Sequence, residues 1–338
     1  MGVQEHNSTK TVLQVNNLGV EFDVRGQTVE VLSGVSFSLQ KGETVGIIGE
    51  SGCGKSMTAL SLLRMIPSPP GRIASGEVLL DGEDLLTLPK KQMSKLRGKE
   101  ISMIFQEPMT SLNPVYTVGN QLIETIRQHL NVKKNDAEEQ AIELLQLVQI
   151  PAPEKRVKEY PHQLSGGMRQ RVMIAMSLVC NPKVLIADEP TTALDVTVQA
   201  QIFDLLKDIQ RQNQTSIILI THDFGAISSM ADRVIVMYAG YKIEEGTLDE
   251  IRNYPRHPYT QGLLRSMLEL KSDSSGFRKV LPEIPGSVPD LRNRKPGCPF
   301  GPRCGFATVK CLEIPPSFDL GAKRSVMCWL GDGGAIDL

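Results

Sequence analysis

The stretch Gly49–Thr58, GESGCGKSMT, sets three glycines and a lysine in ten positions. It follows the apolar, strand-like run ETVGIIG and precedes MTALSLLRMI, whose apolar residues recur at helical spacing. Glycine belongs where backbone must turn sharply or approach a ligand closely. A glycine loop that opens a helix aims several N–H groups and the helix dipole at one point, which suits phosphate. Gly49-x4-Gly54-Lys55-Ser56 fits the nucleotide P-loop spacing in the strand–loop–helix setting that motif requires. Lys55 would reach the β- and γ-phosphates, and the Ser56 hydroxyl would ligate Mg2+.

Length and charge narrow the classes that such a loop can serve. The 338 residues allow a sizeable core and about two domains. A net charge of −1 offers no basic field for nucleic acid. No apolar run approaches the ~18 residues of a membrane span, and the start, MGVQEHNSTK, lacks a secretory signal's apolar core. Met1-Gly2 hints at myristoylation, but His6 stands where Ser or Thr is needed. A cytosolic protein follows, with any membrane role reached through partners.

The spacing predicts antiparallel strands over 12–48, a helix over 57–66, and strand then turn in GEVLLDGEDLL. EISMIF, KVLIAD and SIILITHD read as buried strands, 107–180 as mainly helical, TVQAQIFDLLKDIQRQ as an amphipathic helix, and RVIVMYAGYKIEEG as a hairpin. Beyond about residue 265 proline and glycine rise and periodicity fades, predicting a loop-rich appendage.

Two further segments add phosphate chemistry. KVLIADEP ends a strand in Asp188 and Glu189. Behind a P-loop the first acid holds Mg2+ and the second orients and deprotonates the attacking water; alone, the pair would read as a solvated turn. QLSGGMRQR sets Ser165, Gly166 and Gly167 at a helix start, a second anion-ready N-terminus. One ATP does not need two glycine-rich helix starts from one chain, so the second is expected to serve an ATP held by another copy or a related subunit. An aspartate at Gly167 is expected to block that role.

The P-loop, Gln106, LSGGM, LIADEP, TALD and the histidine after IILIT, in that order, resemble the nucleotide-binding subunit of an ABC transporter over roughly residues 12–265. The resemblance implies an α/β fold: a P-loop ATPase cassette with a RecA-like core, an antiparallel β subdomain and a helical subdomain near 107–180. Residues 1–11 would form a leader and 266–338 a C-terminal extension. It implies that Gly49, Glu50, Ser51, Gly52, Cys53, Gly54, Lys55, Ser56 and Met57 bind ATP. Ser56, Gln106 and Asp188 would hold Mg2+, with Gln106 also sensing γ-phosphate and facing the membrane partner through EPMTSLNPVYTVG. Glu189 would be the base and His222 the γ-phosphate switch. Asp195 would reach across a dimer, in which Leu164, Ser165, Gly166, Gly167 and Met168 close over the partner's ATP. Phe22 stands near the family's adenine-stacking aromatic, often Tyr; its alternative is a core aromatic on a strand.

HPYTQGLL and PGCPFGPRCGFATVKCLEIPPSF narrow the resemblance to ATPase subunits of bacterial dipeptide and oligopeptide importers, a group that includes nickel and metallophore systems. That implies a peripheral subunit on the cytoplasmic face of the membrane, with two permease subunits, a second ATPase as a heterodimer partner, and an extracellular peptide-binding protein. A non-transport ABC ATPase acting on nucleic acid, or a subunit that only binds nucleotide, are the other readings. One cassette, no heptad run and near-neutral charge oppose the first, and intact Glu189 and His222 oppose the second.

Cysteine chemistry leaves two expectations. Cys53, beside Lys55 and the loop amides, is expected to be an exposed, reactive thiolate; the alternative is a small residue turned into the protein. Cys298, Cys304, Cys311 and Cys328, spaced x5, x6 and x16, crowd the last 41 residues. In a reducing compartment such a cluster reads as metal binding. The spacing departs from the close pairs of structural zinc, and a cubane's four irons each take one cysteine. Resembling importer ATPases include members with a [4Fe–4S] centre here. Zn2+, or unmetallated thiols packed or oxidised, are the alternatives.

Overall fold

A computed structural model describes residues 10–106, 111–192, 194–268 and 284–331. Most of the expected leader, residues 107–110 of the segment expected to face the membrane partner, and parts of the expected C-terminal extension lie outside the described residues.

Turn chemistry sets the strand pairing. Strands β1 (Thr11–Val24) and β2 (Gln27–Gln40) flank Arg25 and Gly26, with φ of 57° and 80°. Two positive φ values match a type I′ hairpin turn, whose twist suits the flanking strands. The Asp23 carboxylate secures it, accepting from Gly26 N–H at 2.8 Å. β3 (Thr44–Ile48) is buried throughout and leads into the P-loop. β4 (Gly71–Leu80) turns through Asp81 and Gly82, φ 49° and 88°, into the short β5 (Glu83–Asp84), pairing Leu79 with Asp84. β6 (Ile101–Ile104), β7 (Val184–Asp188) and β8 (Ser216–Ile220) are wholly buried. Such apolar runs without alternation are covered on both faces. β9 (Arg233–Tyr238) and β10 (Tyr241–Thr247) form the expected hairpin through Ala239 and Gly240, φ 46° and 86°.

The described residues fall into two compact units, one made of 10–14, 38–43 and 78–218, the other of 15–37, 44–77 and 219–331. In the first, β6 and β7 pair in parallel, Ile101 opposite Val184. The helix Val118–His129 buries Val118, Leu122 and Ile126, and Lys134–Leu147 buries Ala137, Ala141 and Leu145. Both are i, i+4 stripes, so each helix covers its core with one face. Thr117 caps the first by accepting from Asn120 N–H at 3.2 Å.

In the second unit the strand order is β11–β12–β10–β9–β3, with β11 at Phe318–Gly321 and β12 at Arg324–Val326. β12 pairs antiparallel with β10, Glu244 opposite Val326. The loop-rich expectation for this region is therefore corrected in part. These strands have four and three residues, too few to show a period in sequence. The helix expected over 57–66 runs Lys55–Leu62, and Arg64, at φ 50°, lies outside helical backbone. A short helix at Lys90–Leu96 has no counterpart in the sequence expectations.

Candidate active site

The P-loop follows β3 and opens the helix Lys55–Leu62. Gly54, its N-cap, has φ 106°, and a Cβ there would lie 2.6 Å from Leu32 Cδ2. Gly52 has φ 78°, yet a Cβ there would meet nothing within 4 Å. One glycine is needed for close packing and the other keeps backbone bare toward open space, a cradle that fits phosphate. Lys55 is buried, and its Nζ donates to the carbonyls of Gly49 at 2.8 Å and Glu50 at 3.1 Å. Phe22 is half-buried, its ring end directed at the backbone of Gly71.

Cys53 overturns one expectation. It is fully buried, with Sγ 3.9 Å from Lys55 Nζ. Burial pushes its thiol up, and the opposing pull of Lys55 is the smaller effect. The residue packs as a small hydrophobe, not as a reactive thiolate.

In the other unit, Asp188 ends β7 and is buried. Glu189 follows at φ 46°, a left-handed conformation unusual for a non-glycine residue. Its Oε2 accepts from Thr192 Oγ1 at 2.8 Å and from Gln106 Nε2 at 3.2 Å. Gln106 lies 83 residues from Glu189, two positions beyond the end of β6, so the parallel pairing of β6 with β7 brings them together. Glu189 is thus fixed by its left-handed backbone and by two side-chain donors.

Ser165 caps the helix Gly166–Leu178, its Oγ accepting from Met168 N–H at 3.3 Å. Leu164 is buried. Asp195 caps the helix Val196–Asn213 through Val198 N–H at 2.9 Å, a local role its motif did not announce. His222 is exposed between β8 and the helix Phe224–Met230.

The four C-terminal cysteines lie in the same unit as the P-loop. Cys298 N–H donates to Cys311 O at 2.9 Å. Gly297, at φ 96°, permits this approach, since a Cβ there would lie 2.5 Å from Cys311 O. The Cys328 thiol is pushed up to about 11, mainly by burial, with the charges of Cys298, Cys304 and Cys311 adding to the rise. Among the described residues no three ligands stand close enough for a single metal ion. Four thiolate donors are the ligand chemistry that an iron–sulfur centre takes.

A family model described as ABC transporter matches residues 32–192, and one for the oligopeptide/dipeptide transporter C-terminal region matches 243–311. The oligopeptide transport ATP-binding protein OppD of Bacillus subtilis (strain 168) is 52% identical, covering 94% of this chain and 88% of its own length. The chain belongs to the ABC transporter family. The dipeptide transport ATP-binding protein DppD of the same organism is 50% identical over 95% of each chain. Among solved structures, a dimeric post-hydrolysis state of the ATP-binding cassette MJ0796 bound to ADP and Pi aligns at TM-score 0.63 and 26% identity, covering 70% of this chain and 98% of that one. CbiO1 from Clostridium perfringens aligns at TM-score 0.60 and 27% identity, covering 72% and 90%. The α/β fold is thus that of an ABC ATPase. Among the described residues no helix is long and apolar enough to cross a membrane.

Residues of this ABC ATPase that motif reading missed surround the P-loop from the C-terminal side. Tyr259, fully buried, accepts at Oη from Glu50 N–H at 2.9 Å. Phe300, between two of the cysteines, packs its ring 5.3 Å from Tyr238 and 5.4 Å from Tyr259. The tyrosine of HPYTQGLL therefore touches the P-loop. His257 Nδ1 accepts from Tyr259 N–H at 3.0 Å, and burial lowers its pKa to about 3. The folded value thus lies below the unfolded one near 6.5. Between those pH values the unfolded chain binds the extra proton, so this group's contribution to stability falls as pH is lowered, by up to about 1.4 kcal/mol per pH unit. His257→Asn keeps an acceptor for Tyr259 and removes the titration. We expect its urea midpoint to fall less than the wild type's between pH 7 and pH 5; parallel shifts would remove His257 from this role.

Proposed function

We propose that this ATPase energises import of di- and oligopeptides through a membrane ABC transporter. The observation that carries it is similarity over nearly the whole chain to peptide transport ATP-binding proteins, together with the match to the oligopeptide/dipeptide transporter C-terminal region. The cassette spans 12–265, with its helical subdomain near 107–180 and the C-terminal extension at 266–338. It acts as a peripheral subunit on the cytoplasmic face of the membrane. Two permease subunits, a second ATPase and an extracellular peptide-binding protein complete the assembly.

In this reading Gly49 to Met57 bind ATP and Phe22 stacks on adenine. The oxygen donors of Ser56, Gln106 and Asp188 suit Mg2+, a hard cation that offsets phosphate charge. Glu189 takes a proton from the attacking water and His222 contacts the γ-phosphate. Leu164 to Met168 and Asp195 serve an ATP bound to the partner ATPase, a reading supported by the dimeric state of MJ0796. ATP joins the two subunits and hydrolysis releases them, a two-state switch felt by the permeases.

Cys298, Cys304, Cys311 and Cys328 would hold a [4Fe–4S] cluster, which would cross-link a segment poor in apolar surface. The all-sulfur donor set and the backbone bond from Cys298 to Cys311 support this. Iron, sulfide and zinc analysis of anaerobically purified protein tests it: stoichiometric zinc, or metal-free protein with an ordered C-terminal segment, would overturn it.

The transport reading is tested by isolating the chain with its co-purifying permeases and binding protein. Phosphate release by the reconstituted complex should rise when that binding protein is loaded with di- or oligopeptide. Stimulation by nickel or a metallophore instead would move the chain to that branch of the group.

A further inference from the structure

Arg303 lies one residue before Cys304, far in sequence from every ATP motif. Its guanidinium meets the carboxylate of Glu50, second residue of the P-loop, with both prongs: Nη1 to Oε2 at 2.7 Å and Nη2 to Oε1 at 3.0 Å. The remaining donors are also used. Nε donates to Pro285 O at 2.8 Å, Nη2 to Ile284 O at 3.2 Å, and Nη1 to Tyr238 Oη at 3.3 Å. Only 6% of the side chain is exposed, so the fork is locked. Glu50 is held on three sides: Tyr259 Oη takes its N–H, Lys55 Nζ its carbonyl, and Arg303 its carboxylate.

An acid at this position is electrostatically adverse. The loop's amides and Lys55 are arranged for anions, and a carboxylate on the same loop repels them at short range. A neutral residue would avoid the repulsion. The chain instead sets a fixed cation against it. We propose that Arg303 is a positioning residue of the ATP site: it neutralises Glu50 and ties the P-loop to the cysteine-bearing segment, so that this segment sets the affinity for ATP. The proposal rests on residues 49–56 being the ATP site. Linkage is reciprocal, so ATP must in turn steady residues 298–304.

The test is equilibrium binding of MgATP to the full chain, as wild type, R303A, E50Q and R303A/E50Q, with folding checked by circular dichroism. R303A leaves a carboxylate without its counter-charge, and ATP affinity should fall about tenfold or more. Adding E50Q removes the repulsion and should recover most of that loss, which packing alone would not do. In steady state the R303A defect should fall on KM for ATP more than on kcat. Hydrogen exchange across 298–304 should slow with MgATP in the wild type and not in R303A. Unchanged affinity in R303A, or a double variant as weak as R303A, would overturn the proposal. If R303A does not fold, R303Q and R303Q/E50Q replace it under the same two criteria. Wild-type protein that binds no MgATP would instead sink the ATP-site reading itself.

Discussion

Glu189→Gln is expected to stop ATP turnover while leaving ATP bound, with phosphate release reduced about 10²- to 10⁴-fold, the range for losing a general base. The substitution preserves shape and an acceptor oxygen, so the bonds from Thr192 Oγ1 and Gln106 Nε2 to position 189 can persist. What disappears is the capacity to take a proton. The left-handed backbone at φ 46° sharpens the argument, since that conformation costs of order 1–3 kcal/mol for a non-glycine side chain. Glycine would relieve it. A glutamate kept there against its backbone preference points to work done by the side chain. With hydrolysis blocked, the variant should accumulate as an ATP-bound dimer by gel filtration. Phosphate release near the wild-type rate would take the base role away from Glu189.

The second large effect is expected at the helix start after Ser165, and the structure moves it by one residue. A Cβ at Gly167 would lie 2.9 Å from Val198 Cγ1, so Gly167→Asp would disturb its own unit and confuse the result. At Gly166 a Cβ meets only Leu194 Cδ2, at 3.6 Å, an ordinary contact. An aspartate also suits a helix N-terminus, so Gly166→Asp should fold. The same carboxylate would oppose a γ-phosphate brought there by a partner subunit. We expect turnover to fall by about 100-fold or more, in line with losing preorganised donors at a phosphoryl group. ATP-dependent dimerisation should be lost while the isolated chain binds ATP normally. Parallel loss of ATP affinity in the isolated chain would show that this helix start acts in its own subunit's site.

The elements that sequence determined are those whose cause is local. A P-loop needs positive φ at fixed spacings, and Gly52 and Gly54 supply it wherever the loop sits. The Ala239-Gly240 hairpin, the apolar runs of β6, β7 and β8, and the i, i+4 stripes of the helices carry their periods within a few residues. Contacts made across long separations were decided only by the tertiary structure. Arg303 meets Glu50 over 253 positions, and Tyr259 meets the same residue over 209. Neither shows as a pattern, because the partner depends on how β9, β10 and the C-terminal strands stack in register. Burial was decided the same way. From its neighbours Cys53 reads as an activated thiolate, but desolvation outweighs the pull of Lys55 once the surrounding strands close over it. Local spacing sets which atoms a segment can offer; packing decides which of them face water, a partner side chain or nothing.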